Sequence, residues 1–183
     1  LQLCCLLNEN GGTPKNIADS QLGTKSAAFN WTVTPKGSGA NFNNTDYVQF
    51  PRKSTHINNF AKPFTVCHLW WYNDFNSRAW FSVGESSTQY QILVGMSGTN
   101  RYGIGTDSIS ISSSFAIANN DQKYHLSAIS QSTVNSRIFM FDGKIENNTA
   151  SDSGVVTLGT PYVVGGNFSH NAGLIGKVIF TYF

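Results

Sequence analysis

The sequence predicts an all-β domain, a sandwich of two antiparallel sheets joined as a jelly roll. Three observations carry that prediction. Short apolar segments recur at roughly ten-residue intervals, separated by Gly, Ser and Asn, which is the spacing of a sandwich or barrel. No segment keeps a 3.6-residue apolar stripe, and the strong helix formers Ala, Leu, Glu and Lys are scarce. Strand-like apolar stretches stand at both ends of the chain, and two such strands are expected to pair near the middle of one sheet, bringing the ends together.

Taken in order, the opening LQLCCLL (1–7) reads as a strand running from a sheet edge into the core. It lacks the basic start and cleavage site of a signal peptide and is far shorter than the twenty or so apolar residues that span a bilayer. FTVCHLWWY (64–72) places Phe64, Val66, His68 and Trp70 on one face and Thr65, Cys67, Leu69 and Trp71 on the other. Both faces are largely apolar, so a central strand packed on each side is expected. The polar turn NDFNSR (73–78) leads to AWFSV (79–83), then QYQILVGM (89–96) and NRYGIGT (100–106) follow as further strands. SFAIANND (114–121) has room for one short helical turn. KYHLSAIS (123–130) and SRIFMFDGK (136–144) resume the strand pattern, with Ile138, Met140 and Asp142 opposite Phe139 and Phe141. Asp142-Gly143 is the strongest hairpin signal in the chain, because both central residues of a type I′ turn need positive φ. PYVVGG (161–166) and LIGKVIFTYF (174–183) close the pattern. With no linker, repeat or low-complexity block, residues 1–183 form one domain.

Composition narrows the function. Charged residues make up 12% of the 183, where about a quarter is usual, and Asn, Ser, Thr and Gly together supply about two-fifths. The net charge of +2 gives no electrostatic case for nucleic acid or an anionic membrane, and the isolated Arg52-Lys53 doublet is a solvated loop. Cys4, Cys5 and Cys67 include no C-x-x-C pair, and the four histidines are scattered, so a structural zinc site is not indicated. A bridge from Cys4 or Cys5 to Cys67 and buried free thiols both remain open. N-x-S/T sequons at Asn30, Asn43, Asn147 and Asn167 would accept glycans in a eukaryotic secreted protein.

From ANFNNTDYVQFP (40–51) onward the order of motifs is that of a known superfamily. An F-T-(I/V)-x-x-W strand follows as FTVCHLWWY. KYHLSA then stands where W-x-H-(V/L)-A belongs, keeping His125 but replacing the Trp with Tyr124. IFMFDG (138–143) and the closing Gly165, Gly166, Gly173 and IGKVIFTYF complete the series. Nearly end to end, the chain resembles the concanavalin A-like superfamily, in particular its laminin-G-like and pentraxin-like modules. It looks most like those of bacteriophage virion proteins. The resemblance implies a jelly-roll sandwich at a virion or extracellular surface, whose partners are other surface proteins, glycans or a second copy of itself. Because this architecture hosts lectins, adhesion modules, glycosidases and structural parts, function must be argued from the site.

A glycosidase needs two carboxyl groups about 5–9 Å apart across the scissile bond. No strand here offers Glu-x-Asp or Glu-x-x-x-Glu, and the acids fall mainly in turns. G-x-S-x-G and the P-loop are absent as well, so the reading is non-enzymatic, with no catalytic residue and no cofactor. A secreted lectin or laminin-G adhesion module is the alternative, and a degenerate glycosidase the third reading. The candidate ligand site is the aromatic-polar cluster Trp71, Tyr72, Asn73, Asp74, Asn76 and Arg78, since sugars stack on rings while amides and charged groups bond their hydroxyls. Trp70 and Trp80 are expected to fill the space between the sheets. His68 and His125, within strands, read as hydrogen-bonded core residues. Calcium takes six to eight oxygens, and no loop concentrates three acids; Asn44, Asp46 and Asp74 are the nearest approach to a site.

Overall fold

The computed structural model describes residues 2–7, 11–53, 55–56, 62–72, 78–83, 92–96, 101–105, 110–117, 123–133, 135–149, 161–166 and 174–183. These form strands β1 (Cys4–Leu6), β2 (Thr24–Lys25), β3 (Asn30–Thr34), β4 (Gly37–Asn43) and β5 (Val48–Phe50). They continue as β6 (Phe64–Tyr72), β7 (Arg78–Val83), β8 (Ile92–Met96), β9 (Arg101–Gly105) and β10 (Ser110–Ala116). The last five are β11 (Tyr124–Thr133), β12 (Ser136–Phe141), β13 (Lys144–Asn148), β14 (Tyr162–Val164) and β15 (Ile175–Tyr182). There is no helix among the described residues, and Ser114–Ala116, where a helical turn had room, belong to β10. Alternation explains this: Ile111, Ser113 and Ile117 point inward while Ser114 and Ala116 are exposed, a two-residue period no helix can satisfy.

Two antiparallel sheets pack face to face. One runs β13-β12-β11-β6-β15-β4-β3, with β1 also paired to β15; the other runs β10-β9-β8-β7-β14-β5-β2. The central strand is β15, which meets β6 on one side and both β4 and β1 on the other. A register shift between Val178 and Phe180 separates the β4-paired half from the β1-paired half. Cys4 lies opposite Tyr182, and Leu3 and Phe183 exchange backbone hydrogen bonds of 2.8 and 2.9 Å, so the two ends do run side by side.

The expected inward face of β6 is correct: Phe64, Val66, His68 and Trp70 are all buried. The opposite face is not covered by a second layer, because Thr65 is exposed and Cys67, Leu69 and Trp71 are half-buried. Centrality therefore comes from strand neighbours β11 and β15 rather than from packing on both sides. Between the sheets the core is dominated by aromatics, including Phe42, Phe50, Trp70, Trp80, Phe81, Phe139, Tyr162 and Phe183.

Candidate functional site

An aromatic stack leads from the centre of the sandwich to its rim. Trp70 of β6 and Trp80 of β7 face each other across the two sheets, with ring centroids 4.0 Å apart and planes at 25°. Both are buried, as expected, and Trp70 Nε1 donates to Ser127 Oγ at 2.8 Å. His125 lies 4.9 Å from Trp70 and stacks at 4.9 Å on Phe141, which in turn stacks on Phe115 at 6.0 Å. The hairpin turn holds this arrangement. Asp142 and Gly143 have φ of 48° and 80°, the type I′ geometry predicted for them. That turn aims the Asp142 carboxylate back at β11, where Oδ2 is 2.7 Å from His125 Nδ1 and Oδ1 accepts from Leu126 N at 2.9 Å. With an acceptor-only carboxylate opposite it, Nδ1 carries the proton. His125 is thus the buried, hydrogen-bonded histidine the sequence suggested. His68 is the other, sharing a 3.1 Å hydrogen bond between Nδ1 and Thr181 Oγ1.

Beyond Phe141 the stack opens into a groove of about 400 Å³ between β10 and the β12–β13 hairpin, lined by Ser114, Phe115, Ala116, Phe141, Asp142 and Lys144. Phe115 and Phe141 supply the aromatic part of its lining, and its polar part, of about equal extent, carries both signs of charge. Glu146 of β13 ties β10 to the hairpin by accepting from the backbone N and the hydroxyl of Ser114. Two carboxylates thus approach one groove, which sequence reading missed because Asp142 and Glu146 sit on either side of a turn rather than along one strand. Each is engaged as an acceptor, Asp142 from His125 and Leu126, Glu146 from Ser114.

The residues expected to bind ligand are spread differently. Trp71 lies on the outward face of the eight-stranded sheet, half-buried, with the Lys177 ammonium 4.7 Å from its ring centroid. That cation occupies one face of the ring. Tyr72 ends β6 beside Gly176, and Arg78 opens β7 opposite Met96. Asn73, Asp74 and Asn76 lie outside the described residues. The ends of β6, β10 and β12 and the starts of β7, β11, β13 and β15 share one pole of the sandwich, so Trp71, Arg78 and the groove belong to the same end. Phe115, Phe141 and Lys144 were not singled out from sequence. The available signal was the Asp142-Gly143 turn, which places whatever flanks it at a rim.

No protein-family model matches the sequence, and no curated protein matches it. Solved structures do match. Domain 4 of AbnA, a GH43 extracellular arabinanase from Geobacillus stearothermophilus solved with arabinotriose, superposes with a TM-score of 0.68 at 12% identity, covering 99% of this chain and 90% of that one. The binding domain of Paraclostridial Mosquitocidal Protein 1 gives 0.71 at 8% identity over 100% of this chain, which spans 48% of that domain. Mouse laminin α1 domains LG4-5 give 0.52 at 12% identity, covering 86% of this chain and 41% of that one. The fold is a jelly-roll sandwich of two antiparallel sheets. At these identities the likeness establishes architecture and leaves the ligand to the site.

The remaining candidates have structural explanations. Asp46 is buried, with Oδ1 accepting from Ser26 Oγ at 2.8 Å and Oδ2 from Asn43 N at 3.1 Å, so it fastens a turn in which Asn44 takes a φ of 55°. Among the described residues no three His, Cys, Asp or Glu side chains converge as a metal site. Cys4, Cys5 and Cys67 are free thiols. Register gives the reason: Tyr182 of β15 stands between Cys4 and Cys67, putting them two strand spacings apart, about 9.6 Å, beyond the roughly 7 Å limit for a bridge. The sequon residues Asn30, Asn43 and Asn147 are exposed, and Asn167 lies outside the described residues.

Proposed function

We propose that this chain is a non-enzymatic glycan-binding module, and that it serves on a virion surface as a decoration, fibre or spike domain. The observation that carries the binding role is the rim groove, where the half-buried Phe115 ring, backed by Phe141, offers a stacking surface and Asp142, Lys144 and Ser114 offer hydroxyl partners. Aromatic faces with a few convergent polar groups are the usual makeup of a ligand pocket. Trp71, Tyr72 and Arg78 stand at the same pole, and the proposed surface takes in Asn73, Asp74 and Asn76, which lie outside the described residues; binding there uses neither calcium nor another cofactor. The solved arabinotriose complex of a fold neighbour supports a saccharide as the ligand class. The charge-poor, Asn/Ser/Thr-rich exterior supports the virion setting. The exposed sequons favour a secreted lectin or adhesion module as the second reading.

Glycan-array binding followed by calorimetry tests the site. Phe115→Ala and Lys144→Ala should each weaken binding at least about tenfold, the loss of roughly 1.4 kcal/mol expected when one stacking or charged contact goes. If Phe115→Ala, Lys144→Ala and Trp71→Ala all fold and bind as the parent does, the site is misplaced. Hydrolysis of the bound glycan, abolished by Asp142→Asn or Glu146→Gln, would reverse the non-enzymatic reading. Intact mass above the sequence mass after expression in eukaryotic cells would favour the secreted setting.

A further inference from the structure

We infer that the outward face of the eight-stranded sheet is the contact surface between two copies of this chain. An antiparallel sheet with one face in water normally presents polar residues there. Here the pairing registers line up Ile145, Met140, Ala128, Cys67, Tyr182 and Cys4 as one continuous row across β13, β12, β11, β6, β15 and β1. A second row beside it joins Leu126, Leu69, Phe180 and Leu6. The surface is most open toward β11, β12 and β13, where Ile145 is 67% exposed, Leu126 51%, Ile138 40% and Met140 38%; Cys67, Leu69, Phe180 and Tyr182 are half-buried, and Ala128 and Cys4 are buried. Contiguous exposed apolar patches of this kind mark contact sites.

Charge and size select a second copy as the occupant. Of the charged residues in these eight strands, Glu146, Lys144 and Arg137 pair with or belong to the inward register of Phe139 and Phe141, which leaves Lys177 as the one charge on outward positions. That ammonium is drawn over Trp71 at the polar end of the face. Within its strands the face has no carboxylate to select a charged partner, Asp142 being held in the β12–β13 turn by His125 and Leu126, and the apolar rows can meet their own copy about a two-fold axis without like-charge clashes. Six strands about 4.8 Å apart and averaging about seven residues cover roughly 29 by 23 Å, or about 670 Å². A standard interface takes about 800 Å² from each partner. The groove at Phe115 lies on the β10 side of the hairpin and stays open in such a pair.

Sedimentation equilibrium and light scattering across micromolar concentrations read the assembly. The expected mass is twice the 20.0 kDa of the chain, falling toward that value on dilution. Leu126→Glu combined with Ile145→Glu should give a monomer with unchanged circular dichroism, while Val33→Glu, exposed at the far edge strand, should leave the dimer intact. A readout independent of any variant is alkylation of Cys67, which should slow several-fold as protein concentration rises. A parent chain that is monomeric throughout, with Cys67 labelling independent of concentration, overturns the inference and leaves the face to a different protein. A larger assembly that survives the paired glutamates overturns it too.

Discussion

His68 is wholly enclosed between the sheets, and burial lowers its pKa from the ordinary 6.5 to about 3. The folded protein therefore keeps this imidazole neutral, whereas the unfolded chain takes up a proton below about pH 6.5. Its contribution is complete above that value and is lost at about 1.4 kcal/mol per pH unit as the pH falls toward 3, because the unfolded state then binds one proton more. His56 adds to the same trend, since burial lowers its pKa despite the opposing pull of Asp19. Urea titrations between pH 7 and 4 should show a shallower loss for His68→Leu than for the parent; identical slopes would mean that another group is responsible. Two glycines give a second contrast. Gly143 has φ +80° but open space, so Gly143→Ala carries only the left-handed penalty of about 1 kcal/mol. Gly165 has φ +86° and a Cβ there would meet the Phe42 ring at 2.1 Å, so Gly165→Ala should cost at least about 3 kcal/mol from strain plus overpacking. Thermal melts of the pair decide this, and equal losses would contradict the packing at Phe42.

Strands differ in how firmly the sheets hold them. β6, β11 and β15 have neighbours on both sides and bury one whole face, whereas β13 and β3 close the eight-stranded sheet. Amide exchange should therefore be slowest in β6, β11 and β15, and at least about a hundredfold faster in β13, a gap of roughly 2.7 kcal/mol in opening energy. Uniform protection would show that the sheet opens only as a unit. The same difference governed what the sequence revealed. FTVCHLWWY and IFMFDG are legible because a buried central strand must be apolar and a type I′ turn must be Asp-Gly or its equivalent. KIENN of β13 and SISSSFA of β10 are strands by pairing rather than by hydrophobicity, so their composition says loop or helix while their register says sheet. The groove formed between those two strands was invisible for that reason. Trp71 stood out in the sequence as a candidate ligand ring, but Lys177, which covers it, lies more than a hundred residues away and only the β6–β15 register brings them together.

At the scale of the whole molecule, cohesion rests on the aromatic layer and the backbone ladders, with no covalent cross-link among the three cysteines. Burial raises the pKa of Cys4 and Cys67, which keeps both as poorly nucleophilic thiols. Melting temperatures with and without reductant should agree within about 1 °C, since removing a disulfide worth 2 kcal/mol or more would shift the midpoint by several degrees. Chelation with EDTA should likewise leave the melt unchanged, and a drop reversed by added calcium would reveal a cation that the described side chains do not predict.

Leu3 and Phe183 emerge together at the pole opposite the Phe115 groove, separated from it by the length of β15, about 26 Å for eight residues. A scaffold grafted to either terminus would hold this domain by its foot, as a stalk holds a cup. The Phe115 groove would then look outward whatever the scaffold's own shape. Anchoring a sensor chip through an end tag should for the same reason leave the proposed groove open to whatever ligand is tested.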